Sequence, residues 1–210
     1  MSLILQKKKF FSPQAPEVAQ RKLSTNASNT VTLAFDSVPA AGSLLLFFYT
    51  NTLSQEDLSA SPSGYTNLNA PSPSVDGPKA HTGYVIADGS TNSFTFTTAT
   101  GAAASLYGFE IVSYSAVSTE GFNFATSTTF VQAGGSADAL AFGATNLGFA
   151  FVAVGNTFSS LTVDEAYTIN LSNSRSGSAE KFYSVAETED PIFSWVTARQ
   201  TRSVVIRVRL

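Results

Sequence analysis

Leu44-Leu45-Leu46-Phe47-Phe48-Tyr49 and Leu147-Gly148-Phe149-Ala150-Phe151-Val152 are the two stretches on which the fold turns. Successive residues of a β-strand point to opposite faces of its sheet, so each stretch divides into two sets of side chains. In the second, Leu147, Phe149 and Phe151 are large while Gly148 and Ala150 between them are small, which directs the large set at a core. The same phase makes Leu44, Leu46 and Phe48 the core set of the first stretch. Its opposite face, Leu45, Phe47 and Tyr49, is apolar too. Leaving such side chains wet forgoes about 1.5–3 kcal/mol each, so something is expected to cover them. The alternatives are Leu3, Ile4, Leu5, Phe10 and Phe11 near the N-terminus, a neighbouring subunit, or a second layer of the same sandwich.

The likeness of the two stretches extends in both directions. Val31-Thr32-Leu33-Ala34-Phe35 precedes the first and Ala139-Leu140-Ala141-Phe142 the second; Gly64-Tyr65-Thr66 follows one and Ala166-Tyr167-Thr168 the other. Further on, Gly83-Tyr84-Val85-Ile86-Ala87-Asp88 with Phe94-Thr95-Phe96 is echoed by Phe182-Tyr183-Ser184-Val185-Ala186-Glu187 with Phe193-Ser194-Trp195. An internal duplication follows, with copies at about 31–115 and 139–210. Short runs rich in β-branched and aromatic residues alternate with turn clusters such as Pro39-Ala40-Ala41-Gly42 and Ser174-Arg175-Ser176-Gly177, and no window carries a capped helix of useful length. The fold is therefore expected to be all-β: an antiparallel, two-sheet, jelly-roll-like sandwich over 31–210, each copy giving about half the strands. One copy of this size buries little surface alone, and two small tandem sandwiches are the alternative. Residues 1–30, with Pro13, Pro16 and no sustained period, read as an extended arm. The last strand alternates Val204, Ile206, Val208 and Leu210 against Arg207 and Arg209.

Composition narrows the function classes. The 210 residues include no cysteine and one histidine, so disulfides and thiolate metal sites are excluded and few zinc or haem designs remain. Only 13% of residues are charged, while 29 serines and 23 threonines make the polar surface largely hydroxyl-bearing. No apolar stretch reaches the roughly 18 residues of a membrane helix, and Lys7-Lys8-Lys9 follow rather than precede the apolar Leu3-Ile4-Leu5, so a soluble chain without a secretory signal is expected. The net charge of -3 hides an uneven distribution. Basic residues crowd both ends and the body between them is acidic, which disfavours nucleic acid and suits a basic tail touching an acidic protein surface.

Residues able to do chemistry are few, and the repeat discounts each. His81 aligns by letter with Glu180 and lies in no nucleophile-elbow motif. Asp88 and Glu187 align as residues that follow the tyrosine strand, and read as turn carboxylates rather than a glycosidase pair. Glu187, Glu189 and Asp190 lack the spacing of a calcium loop. Trp195 aligns with Phe96 and reads as core rather than as a sugar platform. No catalytic residue, metal site or cofactor is expected.

Taken together, Pro39-Ala40-Ala41-Gly42-Ser43-Leu44-Leu45-Leu46, Ser63-Gly64-Tyr65-Thr66, His81-Thr82-Gly83-Tyr84-Val85-Ile86-Ala87-Asp88-Gly89 and Phe94-Thr95-Phe96-Thr97 resemble a jelly-roll module of tailed-phage virion proteins. There the pattern runs Gly-Asn-Leu-Leu, Gly-Trp-Thr, a tyrosine strand and a paired-aromatic strand; here Ser43 stands for the asparagine and Tyr65 for the tryptophan. The resemblance covers 31–115 well and 139–210 loosely. It implies a structural or adhesive virion part with no catalytic residues to carry over: an oligomeric head decoration or cement protein, most simply a trimer, that binds the capsid. Lys7, Lys8, Lys9, Phe10 and Phe11, the Leu45, Phe47, Tyr49 face, and Arg207 and Arg209 are the expected partner contacts. A tail-fibre or receptor-binding module for surface glycans is the competing expectation.

Overall fold

The computed structural model describes residues 15–51, 58–68, 79–100, 103–114, 116–131, 135–136, 140–155, 157–164, 166–189, 191–195 and 199–209. Strands of the first copy are β1 (Glu17–Asn26), β2 (Thr30–Ala34), β3 (Leu44–Asn51), β4 (Leu58–Ala60), β5 (Thr66–Asn67), β6 (Lys79–Ile86), β7 (Ser93–Thr98) and β8 (Ala104–Val112). Those of the second are β9 (Ala116–Val131), β10 (Gly135–Ser136), β11 (Leu140–Phe142), β12 (Leu147–Val154) and β13 (Thr162–Val163). It continues with β14 (Thr168–Ser172), β15 (Ser176–Phe182), β16 (Glu187–Glu189), β17 (Ile192–Ser194) and β18 (Arg199–Arg209). Every strand pairing among the described residues is antiparallel, and the chain forms an all-β, sandwich-like arrangement of several sheets.

The duplication is visible in the topology. One five-stranded sheet runs β1-β8-β3-β6-β5 and the other β9-β18-β12-β15-β14, the same order with each strand replaced by its counterpart. Backbone conformation repeats as well: Gly42 and Thr145 share a positive φ, as do Gly64 and Ala166. The repeat also corrects the letter alignment. Leu44 pairs with Ile86 and Leu147 with Phe182, and both rungs are pinned by turn bonds, Gly42 N–H to Ala87 O and Thr145 N–H to Tyr183 O. Ile86 is thus the equivalent of Phe182, which places Tyr84 opposite Glu180, and His81 opposite Gly177 rather than Glu180.

Layering goes deeper than one pair of sheets. In the first copy the three-stranded sheet β2-β7-β4 covers one face of the large sheet, and Val31, Leu33, Phe35, Phe94 and Phe96 close over Leu45, Phe47 and Tyr49. The second copy likewise packs Tyr167, Tyr183, Phe193 and Trp195 against Ala150, Val152 and Val154. The remaining faces of the two large sheets meet each other, with Leu44, Leu46, Phe48, Tyr107, Phe109 and Ile111 packed on Leu147, Phe149, Phe151, Ile206 and Val208. Phe48 stacks directly on its own counterpart Phe151, ring centroids 4.7 Å apart. Equivalent residues meeting across an interface are the mark of a two-fold, isologous contact. Each copy is therefore a small sandwich, and the two are joined back to back around an internal pseudo-dyad.

Two expectations give way here. The Leu45, Phe47, Tyr49 face is fully buried by the chain's own second layer and is not a partner surface. The arm does not extend to residue 30: β1 pairs along β8 from Glu17↔Val112 to Asn26↔Ala104, as an edge strand of the first large sheet. A strand was hard to see there because β1 alternates around charged and amide side chains, Glu17, Gln20, Arg21 and Lys22, with only Val18 and Leu23 turned toward the core.

Candidate functional site

Each side chain nominated for chemistry has a structural post. His81 is buried on β6, beside Tyr49 with ring centroids 6.1 Å apart. Asp88 is exposed in the turn after β6, where it accepts from Ser90 N–H at 2.8 Å and Ser90 Oγ–H at 2.7 Å. Those bonds hold its carboxyl below the usual carboxylate range. Glu187 takes an ion pair from Lys181 at 3.0 Å, and Trp195 is buried beside Phe158. Asp88 and Glu187 do not face each other as structural equivalents either; the three-residue correction pairs Asp88 with Ser184. Among the described residues no three His, Asp or Glu side chains converge to hold a metal. Lys7, Lys8, Lys9, Phe10 and Phe11 lie outside the described residues, as does the side chain of Arg207, whose backbone pairs with Gly148 on β12. Arg209 is half-buried at the end of β18.

The polar group that matters most was not singled out by the sequence. Glu110, 3% exposed on β8, accepts from Gln20 Nε2–H at 2.6 Å, Ala40 N–H at 2.8 Å and Ser43 Oγ–H at 2.9 Å. One carboxylate thus ties β1, the Pro39–Gly42 turn and the start of β3 together. A buried charge is tolerated when charge-assisted bonds surround it, and removing it strands its donors. Glu110→Ala is expected to lower unfolding free energy by about 3 kcal/mol, read as an earlier urea midpoint, with Glu110→Gln losing less.

The seam between the copies is also polar at one side. Tyr107 and Ser176 hydroxyls lie 2.8 Å apart, Asn173 Nδ2–H donates to Ser105 Oγ at 2.9 Å, and the Arg21 guanidinium pairs with Glu180. Burial pushes the phenols of Tyr107 and Tyr65 well above their ordinary value. Because the folded values are raised, unfolded chains ionise first. The stabilisation is whole below the ordinary phenol value of about 10 and is lost as pH climbs toward the folded values. Denaturant midpoints are expected to be flat near neutral pH and to fall from about pH 10 upward.

Surface depressions flank these elements. A cleft of about 640 Å³ lies between the Ser61–Gly64 turn, the end of β6 and β7, with Ile86 46% exposed in its wall. A groove of about 540 Å³ runs along the seam, where β1 of one copy crosses β14 and β15 of the other. It brings Glu17 and Arg21 together with Asn170, Glu180, Lys181 and Phe182, two groups too far apart in sequence for spacing to have linked them.

Comparison with protein-family models, with characterised proteins and with solved structures returns no match to this chain.

Proposed function

We propose that this chain is a non-enzymatic structural protein of a tailed-phage virion, an oligomer that decorates or cements the head. The observation that carries this reading is the use made of the chemistry-bearing side chains. His81, Asp88, Glu110, Glu187 and Trp195 are committed to cores, turns and ties between strands in a body stacked four layers deep. Such a layered body suits a structural part, and the module resemblance over 31–115 supplies the virion context; fold likeness alone does not fix a role. With the Leu45, Phe47, Tyr49 face spent internally, contact with the capsid falls to the basic Lys7-Lys8-Lys9, to Phe10 and Phe11, and to Arg207 and Arg209. A basic N-terminus on an acidic body favours docking to acidic protein surfaces and sensitivity to salt.

The test is co-sedimentation of the full chain with purified heads lacking it, alongside a chain without residues 1–14, which leaves β1 whole. The full chain is expected to bind as a trimer by light scattering and the truncation to bind weakly. Absence of head binding by the full chain overturns the reading.

A further inference from the structure

We propose that the seam also forms between two molecules: the first copy of one chain packs on the second copy of another, and the exchange is returned. The contact is already isologous, with Phe48 stacked on its counterpart Phe151 and the two large sheets meeting through equivalent faces. Such a contact closes as well between two chains as within one, since each face meets the same partner in both cases. The polar bonds across it are kept too. Tyr107 with Ser176, Ser105 with Asn173 and Arg21 with Glu180 each join one copy to the other, so all are remade in the exchanged form.

Which form wins is left to the tie between the copies, and that tie is short and strained. β8 ends at Val112 and β9 begins at Ala116 in the other large sheet, so residues 113–115 alone carry the chain across. Ser113 makes the turn with φ 59°, the left-handed region that residues other than glycine, asparagine and aspartate seldom occupy. When Ser113 relaxes to extended backbone, β8 runs straight on toward β9, the copies part, and each seam face is open to a second chain. Short hinges under strain favour this exchange. Two features oppose it: the Tyr114 hydroxyl donates to Gly42 O at 3.1 Å, and a short tether holds its two halves at an effective concentration on the order of millimolar. The exchanged form therefore belongs to high protein concentration and the closed chain to dilute solution. Exchange uses no outer surface of the protein, and the inference does not depend on a virion role.

Mixed-isotope cross-linking of the full chain tests this. Arg21→Cys with Glu180→Cys puts one thiol on each side of the seam, at a partly exposed ion pair whose loss costs the fold little. Light and heavy-nitrogen preparations are mixed, carried through the urea transition and back at low and at high protein concentration, and treated with a short bis-maleimide. Dilute refolding is expected to link only peptides of like label. Concentrated refolding is expected to give an oligomer, a dimer at its smallest, in which light peptides are linked to heavy ones. Ser113→Gly, which accepts the left-handed turn freely, is expected to lower the mixed share about fivefold, and Ser113→Val, which resists that turn, to raise it. Like-labelled pairs alone at every concentration, whether the chain is monomeric or oligomeric, overturn the proposal. So does a mixed share that is equal in the two Ser113 variants.

Discussion

Deleting Arg207 to Leu210 is expected to cost at least about 3 kcal/mol of stability, a fall in melting temperature of roughly 6–12 °C for a chain this long. β18 is not an edge. It lies between β12 and β9, pairing Val208 with Leu147 on one side and with Val117 on the other. Val208 is fully buried in the core between the copies. Removing it forfeits about 1.5–3 kcal/mol of burial, opens a cavity beside Leu147 and breaks ladder bonds to two neighbours at once. An unchanged thermal melt for the truncated chain would show that the end of β18 is not part of the core.

Gly83→Ala is expected to be nearly as damaging. A Cβ at Gly83 would collide with the backbone oxygen of Thr66 and with the ring of Tyr65, which lies across the glycine. That ring meets Phe96 edge-on, centroids 5.2 Å apart, so the slot over Gly83 is how the Gly64-Tyr65-Thr66 turn is anchored to the first copy's core. Covering a strand glycine with an aromatic ring compensates for its missing side chain. Backbone cannot retreat as a side chain can, so β5 must leave the sheet and the cost is about 3 kcal/mol. Gly177→Ala is the contrasting case: there only a terminal methyl of Leu161 stands in the way. Its cost is expected to stay below about 1 kcal/mol. Denaturant titration of both variants measures the difference.

The apolar alternation of β3 and β12 carries the fold in the sequence, since a period of two in a duplicated chain defines which faces are buried. It does not say what buries them. Leu45, Phe47 and Tyr49 looked like a contact surface because their cover comes from β2 and β7, short strands whose outward Thr32 and Thr95 dilute the apolar signal. Matching Tyr84 to Tyr183 by letter slipped the equivalence of β6 and β15 by three residues. Register there is set by the turn bonds of Gly42 and Thr145, which leave no mark in residue type. The equivalences by which His81 and Asp88 were discounted are off by the same three residues, whereas Trp195 is buried in a core as its pattern suggested. The seam groove was beyond reach altogether: Arg21 and Glu180 meet only because the copies pack around Phe48 and Phe151.

That packing is also what most needs testing, and the absence of cysteine makes a clean probe available. Ser105 on β8 and Asn173 after β14 touch across the seam, their side-chain atoms 2.9 Å apart. With both changed to cysteine, Ser105→Cys and Asn173→Cys, a short bis-maleimide is expected to join the two thiols within one chain, read by mass spectrometry of the cross-linked peptides. A folded double variant whose two thiols each react with the reagent but are never joined to each other would contradict the back-to-back joining of the two copies.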